Sequence, residues 1–290
     1  MGYRLPRAAA IHDMSGFGRC SLTVIIPVLS SMGIQVCPIP TAVLSTHSGG
    51  FGSFTFSDLT EIILPYAEHW RSLELEFDYI YSGFLGSDKQ IDIVAAIADT
   101  FTSKGNPIVV VDPVMGDNGR LYKTYTSEMQ IKMKQLIRKA NIITPNPTEM
   151  YYLLDEPFSE GPVDCKHMKA LLKRLSDMGP EKVVVTGVLG EDGWCNICYD
   201  SITDEYWRVK FKRIPVNYPG TGDIFTSVLI GGMSMGDSLP EAIARATGFL
   251  SLAVGFTYEH KTPEREGVML EVLLARLNEK PEGFTYEVLK

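Results

Sequence analysis

An α/β fold, with a mostly parallel central sheet covered by helices on both faces, is what this sequence predicts. Two observations carry that expectation. Short runs of apolar, β-branched residues alternate with longer segments of helical length, the pattern of a doubly covered parallel sheet. Each run also stops at a small, polar or turn-forming residue. Right-handed crossovers would gather those residues along one rim of the sheet. No repeat, low-complexity segment or linker interrupts the 290 residues, so the reading is one domain over 1–290.

The elements follow in order. Residues 8–12 are an apolar run ending at Asp13, the first expected strand. Ser15-Gly16-Phe17-Gly18-Arg19-Cys20-Ser21 reads as a glycine-rich turn, and 22–32 as the helix after it. Strand, glycine turn and helix also open a dinucleotide-binding unit. Here Ser21 stands where the third glycine belongs, and 33–57 contains no Asp or Glu to hold a ribose, which argues against an NAD-dependent oxidoreductase. Residues 36–44 are apolar but broken by Pro38 and Pro40, suggesting an edge or irregular strand. They run into the loop Ser45-Thr46-His47-Ser48-Gly49-Gly50-Phe51-Gly52, and Ser57-Asp58 should cap a helix toward Trp70. From there strands at 79–82, 107–111, 141–143 and 182–185 alternate with helices at 88–100, 130–139 and 168–178. Residues 194–214 read as an antiparallel pair, 224–233 as a buried helix, and 239–256 and 267–278 as closing helices.

Composition narrows the function. With 45% hydrophobic and 21% charged residues the chain is an ordinary globular protein, and a net charge of −8 argues against nucleic acid or an anionic membrane as the partner. A phosphorylated ligand would therefore need backbone N–H groups, a metal or a few local cations. Residues 1–7 lack the apolar core of a secretory signal, and no stretch approaches the ~20 apolar residues of a membrane span. Five scattered cysteines suit a reducing compartment, so a cytoplasmic location is expected. Cys195-Asn196-Ile197-Cys198 has redox-motif spacing, but residues three apart on a strand point to opposite faces.

The chain is organised around Tyr218-Pro219-Gly220-Thr221-Gly222-Asp223. Two glycines flanking a threonine, just ahead of an apolar helix, leave N–H groups directed forward from a positive helix end. That geometry binds anions. Asp223 is then either a first-turn acid favoured by the dipole or a carboxylate placed to take a proton from an attacking hydroxyl. Asp13, Phe84, Asp112, Asn146 and Thr186 each follow an expected strand and should share its rim. Asn146-Pro147-Thr148-Glu149 is also a good helix start, with Asn as N-cap and Glu at the capping-box position. Asp112-Pro113 likewise doubles as a strand terminator.

Four separated segments now agree: Gly16-Phe17-Gly18; Asp112-Pro113-Val114-Met115-Gly116-Asp117; Thr144-Pro145-Asn146-Pro147-Thr148-Glu149; and Gly220-Thr221-Gly222-Asp223. In this order and spacing the chain resembles the ribokinase-like superfamily, most closely its pyridoxal/pyridoxamine (vitamin B6) kinase branch, over nearly its whole length. The resemblance implies an ATP-dependent kinase acting on the 5′-hydroxyl of a B6 vitamer. Asp223 would be the base, and Gly220, Thr221 and Gly222 the anion hole. Asp112, Asn146 and Glu149 would organise Mg²⁺ and the ATP phosphates, with Thr186 and Gly187 touching those phosphates. Asp13, Ser15, His47, Ser48 and Phe84 would line the substrate pocket. A homodimer and a cytosolic role belong to the same resemblance, and K⁺ is left open as a further cofactor. No Walker A sequence is present, so the P-loop route is excluded.

Two positions depart from the branch, which commonly carries Ser near position 13 and Tyr at 84. An acid at Asp13 would pair with an aminomethyl group or a pyridinium nitrogen, and Phe84 would stack without donating a hydrogen bond. The related hydroxymethylpyrimidine kinases share the N-terminal turn, but dual-activity members often carry a cysteine in the anion-hole motif, and none stands beside Asp223 here. A sugar kinase would need a larger insertion after the first strand. A non-catalytic ligand-binding relative is opposed by the presence of both Asp223 and Glu149.

Overall fold

The computed structural model describes residues 4–103, 105–279 and 283–289; Met1–Tyr3, part of the amino-terminal stretch read above, lie outside them. The chain runs β1 (Arg7–Phe17), α1 (Leu22–Ser31), β2 (Gln35–Thr46), β3 (Phe56–Asp58), α2 (Thr60–Ser72), β4 (Tyr79–Ser82), α3 (Asp88–Thr102) and β5 (Ile108–Val111). A small ribbon, β6 (Gly116–Asp117) and β7 (Arg120–Leu121), precedes α4 (Ser127–Ile137), β8 (Ile142–Ile143), α5 (Pro147–Leu153) and α6 (Cys165–Ser176). Then follow β9 (Lys182–Gly190), β10 (Gly193–Asp200), β11 (Glu205–Lys210), α7 (Thr221–Ser234), α8 (Leu239–Glu259) and β12 (Tyr286–Val288). Among the described residues no helix is long and apolar enough to cross a membrane.

A ten-stranded sheet has the order β12-β11-β10-β9-β8-β5-β4-β1-β2-β3. The six central strands pair in parallel and the outer ones antiparallel. Period-2 alternation divides the strand side chains between two cores. Ala9, Ile11, Ile80, Val109, Val111 and Val183 pack on α2 to α6, whereas Ala8, Ala10, Tyr81, Val110 and Val184 pack on α1, α7 and α8. Both faces are buried, so the strands read as unbroken apolar runs. The fold class is the expected one.

Several boundaries differ, each for a physical reason. β1 runs on through Ser15-Gly16-Phe17 and stays paired to β2 as far as Phe17 opposite Thr46, so the turn shrinks to Gly18–Ser21. β2 is a regular twelve-residue strand despite Pro38 and Pro40. Its second partner, β3, pairs only with residues 42–44, so both prolines lie where that side is open and no ladder N–H is missed. Ser57 and Asp58 belong to β3, and Asp58 supports the start of α2 from outside by accepting the Thr60 N–H at 2.7 Å. The closing helix over 267–278 is reduced to a short 3₁₀ turn, Leu274–Asn278. Cys195 and Cys198 enter opposite cores, as their spacing on a strand demands.

Candidate active site

The rim at the carboxyl ends of the parallel strands collects most of the expected residues. Helix α7 starts at Gly220, whose φ of 80° is the left-handed conformation that glycine tolerates. A Cβ there would come within 2.3 Å of the Arg19 carbonyl oxygen, so the turn after β1 packs directly on this backbone. Gly220 has no side chain to cap the helix, and no cap bond is made. The first-turn N–H groups of α7 are thus left for an anion.

Asp223 sits in that first turn with its side chain 14% exposed. Its Oδ2 accepts the Ser21 backbone N–H at 2.7 Å, and its Oδ1 lies 4.0 Å from His12 Nδ1. Burial, followed by the nearby Asp13 charge, pushes its carboxyl up to about 7, against the Ser21 N–H. His12 is fully buried, stacked edge-on to Tyr81 at 4.4 Å, and neither ring nitrogen has a hydrogen-bond partner. Burial pushes its pKa down to about 3, so the ring is neutral.

The other acids crowd the same place. Asp112, just beyond β5, is 6% exposed, and its Oδ2 would lie 3.3 Å from a Cβ at Gly222. Burial and then Asp223 raise its carboxyl well above the usual range. Glu149 is 3% exposed; its two oxygens accept the N–H groups of Met115 at 3.1 Å and Asn146 at 2.8 Å. Burial and Asp112 still hold its pKa high. Asn146 completes the capping box by accepting the Glu149 N–H at 3.0 Å, and its Nδ2 donates to the Gly116 carbonyl at 2.8 Å. The helix-cap reading of this segment is therefore realised, whatever else it does. No lysine or arginine forms an ion pair with Asp13, Asp112, Glu149 or Asp223 among the described residues, and no three acidic, His or Cys side chains there converge into a ready metal cluster. Surplus buried negative charge of this kind fits a hydrated dication better than a closed protein cage.

A cavity of about 360 Å³ opens beside the anion hole, lined by Asn146, Thr186, Gly187, Thr221 and Gly222, with apolar walls from Val188, Leu250 and Val254. Thr186 and Gly187 lie within β9 rather than beyond it. The β9–β10 ladder is irregular opposite them, and the Asn196 side chain takes the Gly187 N–H at 2.9 Å while donating to Thr247 at 2.8 Å. On the same wall the Arg213 guanidinium stands 4.1 Å from the Trp194 ring.

The expected substrate residues divide. Asp13 is 5% exposed; its oxygens accept the hydroxyls of Ser21 at 2.6 Å and Ser15 at 3.4 Å. Burial raises its carboxyl. Both His47 nitrogens are engaged within the chain: Nε2 meets the Arg265 carbonyl at 2.6 Å and Nδ1 accepts the Gly49 N–H at 3.1 Å, which fixes the tautomer. Ser48 is exposed and Phe84 half-buried, and neither lines the cavity beside the anion hole. Sequence reasoning missed His12, Asn196 and Ser21. The last had a signal: it occupies the third-glycine position of the turn, and its φ is +49°.

Comparison with known proteins gives a consistent picture. The family model described as phosphomethylpyrimidine kinase matches residues 56–266. A provisionally named pyridoxal kinase of Caenorhabditis elegans is 30% identical over 253 residues, covering 81% of this chain and 75% of that one. A provisionally named phosphomethylpyrimidine kinase from Bacteroides thetaiotaomicron, crystallised with pyridoxal, is 44% identical with a TM-score of 0.93, over 98% of this chain and 100% of that one. The pyridoxal kinase of Lactobacillus plantarum is 31% identical with a TM-score of 0.84, over 94% and 97%.

Proposed function

The chain belongs to the phosphomethylpyrimidine kinase family, in its pyridoxal kinase branch, and on that premise we propose that it transfers the γ-phosphoryl group of ATP to the 5′-hydroxyl of a B6 vitamer. The observation that carries this reading is the start of α7, where an uncapped helix end that lines the cavity and a largely buried carboxylate, its pKa pushed up to about 7, stand side by side. Phosphoryl transfer is mainly positioning and charge stabilisation, and these are the parts it needs.

In this reading the Gly220, Thr221 and Gly222 N–H groups hold the transferring phosphoryl group. Asp223 takes the hydroxyl proton on Oδ1, the oxygen that Ser21 leaves open. Asn146, Thr186 and Gly187 lie along the phosphates, and the apolar wall receives the base. Asp112 would hold Mg²⁺, with Asn146 and Glu149 acting through water because their polar atoms are already hydrogen-bonded. The ion would offset phosphate charge when bound. Ser15, His47, Ser48 and Phe84 belong to the vitamer side, His47 by shaping the loop, and Asp13 is tied to it through the Ser15 and Ser21 hydroxyls. A single catalytic domain over 1–290, a cytoplasmic homodimer and an optional K⁺ complete the proposal on family resemblance.

The test is ATP-dependent phosphorylation of pyridoxal, pyridoxine, pyridoxamine and hydroxymethylpyrimidine with Mg²⁺, with Na⁺ or K⁺ as the salt. At least one B6 vitamer should turn over, and Asp223→Asn should lower kcat by about 10²–10⁴-fold. Turnover of hydroxymethylpyrimidine alone would move the substrate to the pyrimidine class that the family model names, and keep the mechanism.

A further inference from the structure

Ser21 is held in a backbone conformation that L residues seldom adopt, with φ 49° and ψ −134°. It is the N-cap residue of α1, where a serine hydroxyl ordinarily accepts a first-turn N–H, yet it makes no such bond. Its hydroxyl donates instead to Asp13 Oδ1 at 2.6 Å, while its N–H donates to Asp223 Oδ2 at 2.7 Å. One strained residue therefore links two carboxylates. The Asp13 side is built for this. The β1–β2 ladder slips between His12 and Met14, so Asp13 has no registered partner on β2, and its second oxygen takes the Ser15 hydroxyl at 3.4 Å.

We propose that Asp13 is a positioning residue acting through Ser21: its carboxylate anchors the Ser21 hydroxyl, which holds that strained backbone so that the Ser21 N–H orients Asp223. The inference rests on Asp223 being the base, and it gives Asp13 a different task from pairing with a cationic ligand. At 5% exposure, with hydroxyls on both oxygens, Asp13 offers a ligand little free surface. The chain uses an acid here because position 21 is serine: glycine would adopt these angles unaided.

The test is a rescue experiment. Asp13→Ala should lower kcat roughly tenfold to a hundredfold, the scale of a misplaced catalytic group, with KM for ATP and the preference among vitamers unchanged. Ser21→Gly added to Asp13→Ala should recover most of the loss, because glycine needs no anchor. Ser21→Ala, which keeps a Cβ and removes the hydroxyl, should match Asp13→Ala and add nothing to it. The amide proton of residue 21, read by NMR in the same set, should move upfield in Asp13→Ala and return in the glycine double variant. This readout needs no substrate, so it tests the proposal even if no vitamer turns over. Asp13→Ala within twofold of wild type, a double variant as slow as the single one, an unmoved amide, or a raised vitamer KM with altered selectivity would each overturn it.

Discussion

Helices α5 and α7 begin alike and differ in what their first turns leave open. Each follows the sheet and carries an acid at the third helical position, Glu149 after Asn146 and Asp223 after Gly220. In α5 the N-cap side chain takes the Glu149 N–H and the Glu149 carboxylate takes the Asn146 N–H, so the end is closed on itself. In α7 the N-cap is glycine, and the acid turns away to Ser21, so the end stays open. Both first turns carry a carboxylate at the third position; the cap and the reach of the acid decide. A closed end stabilises a helix, and an open one offers its N–H groups to phosphate at a cost in stability.

The largest expected effect comes from closing the open end. Gly220→Ala puts a Cβ against the Arg19 carbonyl and strains a positive φ, so kcat/KM should fall by at least about 100-fold and stability by about 2–3 kcal/mol, read by the kinase assay and urea unfolding. A variant with full activity would dissolve the contrast. Next in size is Glu149→Gln, which keeps an oxygen for the cap. If α5 were only a cap, the Mg²⁺ concentration for half activity would be unchanged. With Glu149 near the metal, kcat should drop about tenfold and the Mg²⁺ concentration for half activity should rise.

The smallest effect is on stability and pH. Asp223 has its folded pKa raised to about 7 from the ordinary 3.8, so the folded state holds a proton that the unfolded state has lost between those values. Stability therefore falls as pH rises through that window, and the full penalty stands above pH 7. Asp223→Asn should raise Tm by a few degrees at pH 8 and give no gain near pH 3.5. An equal gain at both pH values would mean that packing, not charge, is responsible.

Much of the fold was legible because the parallel strands are buried on both sides and read as apolar runs, as at 108–111 and 182–185. The extension of β1 was not, since Ser15-Gly16-Phe17 has turn composition and is kept extended by pairing with β2. In the site, Asp112, Asn146, Glu149 and Asp223 were recognisable from their motifs, and the structure brings them together. What stayed hidden depends on partners far away in sequence. His47 reads as a polar loop residue, and only the fold brings its ring to the Arg265 carbonyl. Asn196 reads as a strand residue until the ladder slips opposite Gly187.

The turn after β1 is pinched between Gly220 and the segment at 266–267. Arg19 donates its N–H to the Glu266 carbonyl, and a Cβ at Gly267 would strike the Arg19 backbone at 2.6 Å. During synthesis, the strands that frame this turn are made early, while the segment that clamps it is made only when residue 267 has been added. A nascent chain therefore lacks this clamp on the turn that packs against Gly220 through most of translation.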